Sequence, residues 1–371
     1  MKSLRPAIAA AAAALTALAL APSASGASTA ADTPQGGHTP WVSTIDDGVL
    51  APFQLAVDGG DVYASDGFLG TLTRYRAGRK TVLASVEGGG LSGVDVVKGG
   101  RSWAYTSSTP DGRTLLTITA RGQRDVVADL GAYEARRNPD QDVTYGVVAG
   151  SNPCANAAFE QVTGGPARYT GIVESNPYAV AALPDGAWAV ADAAGNSILR
   201  VDGKGRISTI AVAPRRPLKI TRALAASVGL PSCTVGVTYA FEGVPTDVEV
   251  GRAGALYFTS LPGGPEDPSL GARGAVFQIN PYGGVKWVAA GFLGATNLAV
   301  DGGTMYVTEL FAGKVTAIRG PRRWTAYRVD RPLSVETDGR RLYIGQLADL
   351  DPETGAPRAP GTIIRVGLHG R

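Results

Sequence analysis

Two short strings carry a polar residue in matching places: PTDVEV at Pro245–Val250 and ATNLAV at Ala295–Val300. Read as strands, they send Asp247 and Asn297 toward one shared space, where their oxygens suit a hard cation such as Ca²⁺. Glu309 and Gln54 fall where they would assist as further oxygen ligands. A lone buried carboxylate is costly to desolvate, and a divalent ion would offset that cost. The competing reading is a hydrated polar channel, because Asp247 is the one formally charged member of its set; Glu249 follows two residues later and faces deeper.

The other chemistry-bearing residues are sparse. The chain has two histidines, His38 in the N-terminal tail and His369 next to the end. Ser-His-Asp hydrolysis needs an imidazole beside the nucleophile, and lyases or lactonases with a histidine proton shuttle need one near their site. Catalysis by this chain therefore falls to carboxylates, tyrosine, lysine, arginine or a metal. Its two cysteines, Cys154 and Cys233, are too few for a zinc site. In an oxidising compartment they are expected to pair, closing a loop of about 80 residues.

The elements that must position these residues repeat. SNPYAVAALPDGAWAVADAAGNSILRVDGKGRIST, Ser175–Thr209, parses into short apolar strands divided by Gly, Pro, Asp and Asn turns. Tight turns make neighbouring strands antiparallel, so the unit is a four-stranded meander. Counterparts begin near Phe53, Ser92, Thr246, Asn297 and Leu333, giving six units in all. One such sheet cannot bury both faces alone, and copies stacked in a closed ring make a six-bladed β-propeller. An aromatic recurs in each second strand, at Tyr63, Trp103, Trp188, Tyr257, Tyr306 and Tyr343. These read as packing between blades. The last unit lacks a fourth strand, and Trp41–Ile45 is expected to supply it by pairing with Thr362–Val366, which would cover an open sheet edge.

Loop lengths choose a face. The loops joining strands one and two, or three and four, are two or three residues long, as at Gly59-Gly60 and Gly203–Gly205. The long segments are 131–174 and 213–245 between units, and 261–273 and 348–360 inside them; all four fall on one side of the ring. Elaborated loops on a rigid scaffold are where recognition concentrates. Helices are expected at Leu130–Arg137 and from Thr221, an N-cap, to stop signals at Gly229 and Pro231. Aligning the first strands puts Gln54, Gly93, Tyr178, Asp247, Asn297 and Ser334 around the channel mouth on that side. Asp66, Asp192, Ser260, Glu309 and Gln346 end the second strands nearby.

Composition fits one large all-β domain: 371 residues, 44% apolar, 18% charged and 50 glycines. The formal charge of +3 falls to about +1 without Lys2 and Arg5, and no basic stripe interleaved with aromatics is present. Nucleic acid is not an expected partner. Residues 1–27 read as a secretory signal: a cationic start, an apolar run of about 15 residues from Ala7, then small residues. That run is short of the roughly 20 residues a membrane span needs. A flexible tail, 28–39, leads into the propeller at 40–371, and the expected location is extracytoplasmic.

VADAAGNSILRVDGKG resembles an NHL-type repeat. At superfamily level the chain is similar to the gluconolactonase and strictosidine-synthase-like six-bladed propellers. GIVESNPYAVAALPDGAWAVADAAGNSILRVD, CTVGVTYAFEGVPTDVEV, LPGGPEDPSLGARGAVFQINP and GATNLAVDGGTMYVTEL resemble the ScyD/ScyE family of secreted bacterial proteins, over roughly Trp41 to Gly367. That resemblance implies an extracytoplasmic propeller and carries no catalytic residues with it. Two functional classes follow. One is a secreted binding or scaffold protein that takes a small molecule or protein on its loop-rich face. The other is a calcium-assisted hydrolase or lactonase of the gluconolactonase-like type, its carbonyl polarised by the ion and a carboxylate acting as base.

Overall fold

The structure, a computed structural model, describes residues 40–351 and 354–368. The leader, the tail to residue 39, His38 and His369 lie outside the described residues. Seven four-stranded antiparallel sheets and one two-stranded sheet organise these residues.

Five sheets are meanders in chain order, over residues 52–85, 90–129, 177–212, 245–292 and 295–328. A sixth takes Pro332–Thr337, Arg341–Gln346 and Gly361–Gly367 and adds the N-terminal strand Val42–Val49 at its outer edge. The turns explain why these segments fold back so sharply. Gly59 and Gly60 sit at φ of 58° and 94°, a left-handed backbone that glycine adopts without a Cβ clash. The innermost strand of each sheet contacts that of the next, and Pro332–Thr337 contacts Pro52–Asp58, so the row closes on itself around an axis. Four of the six innermost strands begin with proline, which gives no N–H to a ladder and suits a strand start. Register shifts follow at once, between Pro52 and Leu55, Pro177 and Ala179, and Pro245 and Asp247. Such bulges re-aim side chains at the rim of a sheet.

Core clusters bridge neighbouring sheets. Tyr63 packs with Leu91, Val94 and Trp103, and Trp188 with Ala104, Leu116 and Ile118. Tyr306 meets Val335 and Ile344, and Tyr343 meets Leu55 and Val62. Tyr257 borders Val276, Leu298 and Val307. The second-strand aromatics thus pack between sheets, as their recurrence indicates. Trp188 is only 2% exposed, and its burial stabilises the fold by roughly 3 kcal/mol.

The N-terminal strand closes the last sheet. Val42 pairs with Val366, Ser43 with Arg365 and Thr44 with Ile364, antiparallel, in the region where a fourth strand is missing from the last unit. The strand runs on to Val49, past the expected Ile45, through two register shifts.

The seventh sheet departs from the sequence expectation, which assigns the two insertions helices and loops alone. Its order is Arg168–Thr170, Thr144–Ala149, Thr238–Phe241, Arg216–Lys219, so each insertion supplies strands to it. Helices α1 (Leu130–Arg137), α2 (Pro153–Thr163) and α3 (Arg222–Ser227) accompany it. The α1 range is the one expected, and Thr221 caps α3 by accepting from the Leu224 amide. The insertions share a core of their own around Val147, Phe159, Ile220 and Tyr239. Cys154 and Cys233 form a disulfide, with Cα atoms 6.2 Å apart, tying α2 to the turn at Ser232–Thr234. We refer to this sheet and its helices as the cap. The two-stranded sheet, Asp349–Leu350 with Pro357–Ala359, is a hairpin within the long loop of the sixth sheet.

Candidate functional site

In most of the innermost strands the third residue follows the bulge, and there polar side chains latch one sheet to another. Gln54 Oε1 accepts from the Val94 and Val180 amides at 2.9 and 3.0 Å. Its Nε2 donates to the Val180 carbonyl at 3.0 Å and to Asp247 Oδ1 at 3.2 Å. One side chain thereby joins the first, second, third and fourth sheets across the axis. Asp247 Oδ2 accepts from Leu298 N in the next sheet, and Asn297 Oδ1 from Val335 N in the sheet after that. Ser334 Oγ donates to the Pro52 carbonyl at 2.6 Å and completes the circuit. At Gly93 an added Cβ would lie 3.0 Å from Ala179 Cα, so the second and third sheets meet there through bare backbone.

Four of the residues expected around the channel mouth thus serve as latches between sheets. Gln54, Asp247, Asn297 and Ser334 share one level, but their side-chain oxygens are engaged by protein groups, while Asn297 Nδ2 is buried without a partner. Asp247 already accepts from Leu298 N, Val248 N and Gln54 Nε2, three of the roughly four lone-pair positions a carboxylate offers. Tyr178 is displaced by one position: the bulge after Pro177 puts Ala179 beside Gly93, while the Tyr178 ring packs edge-on against Phe53 with centroids 5.1 Å apart. Phe53, Tyr178, Leu333 and Leu347 belong to one apolar cluster where the strand alignment predicts a polar mouth. Glu309 does not join Asp247 and Asn297. Its Oε2 accepts from Leu293 N, and its Oε1 faces Arg323 and Lys314 at 3.3 and 3.5 Å. Two cations beside that carboxyl oppose a metal ion. Asp66 and Asp192 hold turn backbone: Asp66 takes the Leu50, Ala51, Phe68 and Leu69 amides, and Asp192 those of Asn176 and Gly195.

Two residues further along the innermost strands, Asp95, Glu249 and Glu336 bring carboxyls into the same channel. Burial raises all three above the ordinary range, Asp95 to about 6 and Glu336 to about 8. Glu249 is lifted further by the charges of Glu336 and Asp247, and Glu336 by that of Asp95. Burial likewise lifts Asp247, against the pull of its two amide donors. Asp95 and Glu249 line a cavity of about 370 Å³ with Lys98, Ala182 and Pro184, on the short-loop side. The sequence singles out only Glu249 of this set; the signal for the others is the alternation that repeats the ring position two residues on.

A second cavity, about 400 Å³, lies on the insertion-bearing side between α1 and the loop ending at Thr114. Arg113, Thr114, Asp129, Glu134, Glu174 and Ser175 border it. Thr114 Oγ1 and Ser175 Oγ are 2.7 Å apart, and Ser175 Oγ donates to Asp192 Oδ2 at 2.6 Å. Glu134 is 1% exposed, and neither of its carboxyl oxygens has a hydrogen-bond partner. Burial, then the charges of Asp192 and Asp140, push it up to about 8. No sequence signal marks Glu134: it sits in a short helix ending in two arginines, and the fold alone turns it inward.

Among the described residues, no three His, Cys, Asp or Glu side chains converge as metal ligands, and no helix is long and apolar enough to cross a membrane. No family model and no curated protein matches the sequence. Solved structures do match. An oxidoreductase described as a glucose dehydrogenase from Thermus thermophilus aligns over 88% of this chain and 100% of its own, with TM-score 0.52 and 17% identity. A Bacteroides thetaiotaomicron protein of unknown function aligns over 89% of this chain and 76% of its own, at 0.53 and 12%. A protein described as a gluconolactonase covers 91% of this chain and 94% of its own, at 0.50 and 12%. At these identities the likeness is one of fold, a β-propeller.

Proposed function

We propose that this chain is an extracytoplasmic binding protein: a six-bladed propeller whose cap and neighbouring loops recognise a ligand. In this reading six sheets are blades and the seventh is the cap, an addition over 131–174 and 213–245 to a single propeller domain at 40–371. The observation that carries it is the asymmetry of elaboration. One side of the ring has turns of two to five residues, while the other bears a cap with its own sheet, its own core and a disulfide, next to the 400 Å³ cavity. Elaboration of that kind on one face of a rigid ring is the mark of a recognition surface. The leader-like residues 1–27 and the disulfide support a location outside the cytoplasm. The motif resemblance supports placement among ScyD/ScyE-type secreted proteins.

Thermal shift and native mass spectrometry of the full chain against sugars, sugar lactones, amino acids and short peptides test this. A binder is expected, and Ala132→Trp, which fills the cavity beside α1, should weaken it. Absence of any binder, or binding indifferent to Ala132→Trp, would overturn the assignment to this cavity.

The hydrolase reading draws on Asp95, Glu249 and Glu336, carboxyls whose raised proton affinity suits general acid–base work. Its site would lie on the side opposite the cap. Turnover of glucono-1,5-lactone, with and without Ca²⁺, decides between the two; the binding reading expects none.

A further inference from the structure

We propose that the chain binds a hard divalent cation, Ca²⁺ by its donor chemistry, in the seam between α1 and the third sheet, with Glu134, Asn138 and Asp140 as ligands. This is not the channel position expected from sequence, where Asp247 and Asn297 are committed to backbone amides. It also stands apart from the recognition reading, because an ion that ties the cap to the ring would serve a binder and an enzyme equally.

The seam is defined by two glycines. Beside Gly195, an added Cβ would lie 3.1 Å from Glu134 Oε2, 3.2 Å from Asp192 Cγ and 3.3 Å from the Glu174 carbonyl oxygen. Beside Gly171, it would lie 2.0 Å from Asp140 Oδ1. The two ends are linked. Asn138 caps α1 by donating its amide to the Glu134 carbonyl, and its Nδ2 donates to the Gly171 carbonyl at 3.0 Å. Asn196, between Gly195 and Ser197, donates through Nδ2 to Asp140 Oδ2 at 3.0 Å.

What the seam lacks is donors. Both oxygens of Glu134, Oδ1 of Asn138 and Oδ1 of Asp140 are buried without a hydrogen-bond partner. Asp140 is 0% exposed and Glu134 is 1% exposed. Every one of these orphaned atoms is a hard oxygen, carboxylate or amide, which is the set Ca²⁺ takes six to eight of. Two carboxylates, the Asn138 side-chain oxygen, the Glu174 carbonyl and water from the adjoining cavity would make a calcium-like shell. They also explain why three acidic ligands do not converge: neutral oxygens fill the remaining positions. Asp192, already holding the Asn176 and Gly195 amides, contributes field and not a direct bond. Tyr145 donates to Asp140 Oδ2 at 2.9 Å and so places a phenol ring next to the ion.

The test uses the full chain stripped with chelator and titrated with Ca²⁺ and Tb³⁺. Ca²⁺ is expected to raise the melting temperature and to bind with measurable heat. Tb³⁺ is expected to luminesce on tyrosine excitation, with Tyr145→Phe removing most of that emission while keeping the calcium-dependent shift. Glu134→Gln and Asp140→Asn should each lose the calcium shift. Glu134→Gln, which removes a buried acid, should melt no lower than the metal-free wild type, which shows it is folded. The inference is overturned if Ca²⁺ moves neither heat nor melting temperature of the wild type, or if both variants retain the full shift. If Glu134→Gln does not fold, Asp140→Asn alone decides.

Discussion

Burial raises the Asp46 carboxyl, but hydrogen bonds from Lys80 and Tyr75 outweigh it and hold the group below the ordinary carboxylate range. At Glu336 the balance reverses. Burial, followed by the charge of Asp95, outweighs the single amide it accepts from Thr337 and raises it to about 8. The sign of its contribution to stability follows from linkage. An unfolded glutamate loses its proton near 4.5 and the folded Glu336 near 8. Between those values the folded state binds more protons, so stability falls as pH rises. Glu336→Gln keeps the Oε1 acceptor and removes the titration. We expect the variant to equal wild type near pH 4 and to melt higher near pH 8, with the gap opening across that window. Melting curves at a series of pH values check this, and a gap that shrinks with pH would refute it.

Among elements, the strands of the ring are legible in the sequence and the cap is not. Each meander announces itself through Gly-Gly, Pro-Asp-Gly or Gly-Lys-Gly turns at short intervals, and these turns impose antiparallel pairing on adjacent segments. The cap strands lack that grammar. Arg168–Thr170 and Arg216–Lys219 are three and four residues long, and Gly146 pairs with Ala240 across nearly a hundred residues of chain that also contain the third sheet. Helix α2 does carry a local signal, Asn152 as N-cap with Pro153 at the first helical position and Gly164 as left-handed stop. The ring position of Tyr178 is off by one residue because a bulge cannot be counted from apolar alternation alone. For the cap, the disulfide is the main covalent constraint. Replacing Cys154 and Cys233 together by Ala should destabilise it by about 2–4 kcal/mol. Hydrogen exchange should accelerate in Thr144–Thr163 and Arg216–Phe241 and stay unchanged in the other four-stranded sheets. Uniform acceleration everywhere would show that cap and ring unfold as one.

For the whole molecule, the axis is held by side chains that reach between sheets. Gln54 takes part in four hydrogen bonds that join sheets, so it acts on the ring as a unit. Gln54→Ala strands the Val94 amide and the Val180 amide and carbonyl, and should cost at least about 3 kcal/mol of global stability, read from urea unfolding. A loss under about 1 kcal/mol would mean that water substitutes for the side chain.

The pairing of Val42–Val49 with Gly361–Gly367 sets an order of events during synthesis. The first described strand to leave the ribosome is matched with the last, more than three hundred positions later. Earlier sheets assemble from local hairpins as they emerge, yet the ring cannot lock until the last of these strands has been made. Contacts of such sequence separation form slowly, and a stalled or clipped chain is left with an open ladder edge on the sixth sheet. An edge of that kind is a template for pairing with another chain, so incomplete copies are expected to associate with one another.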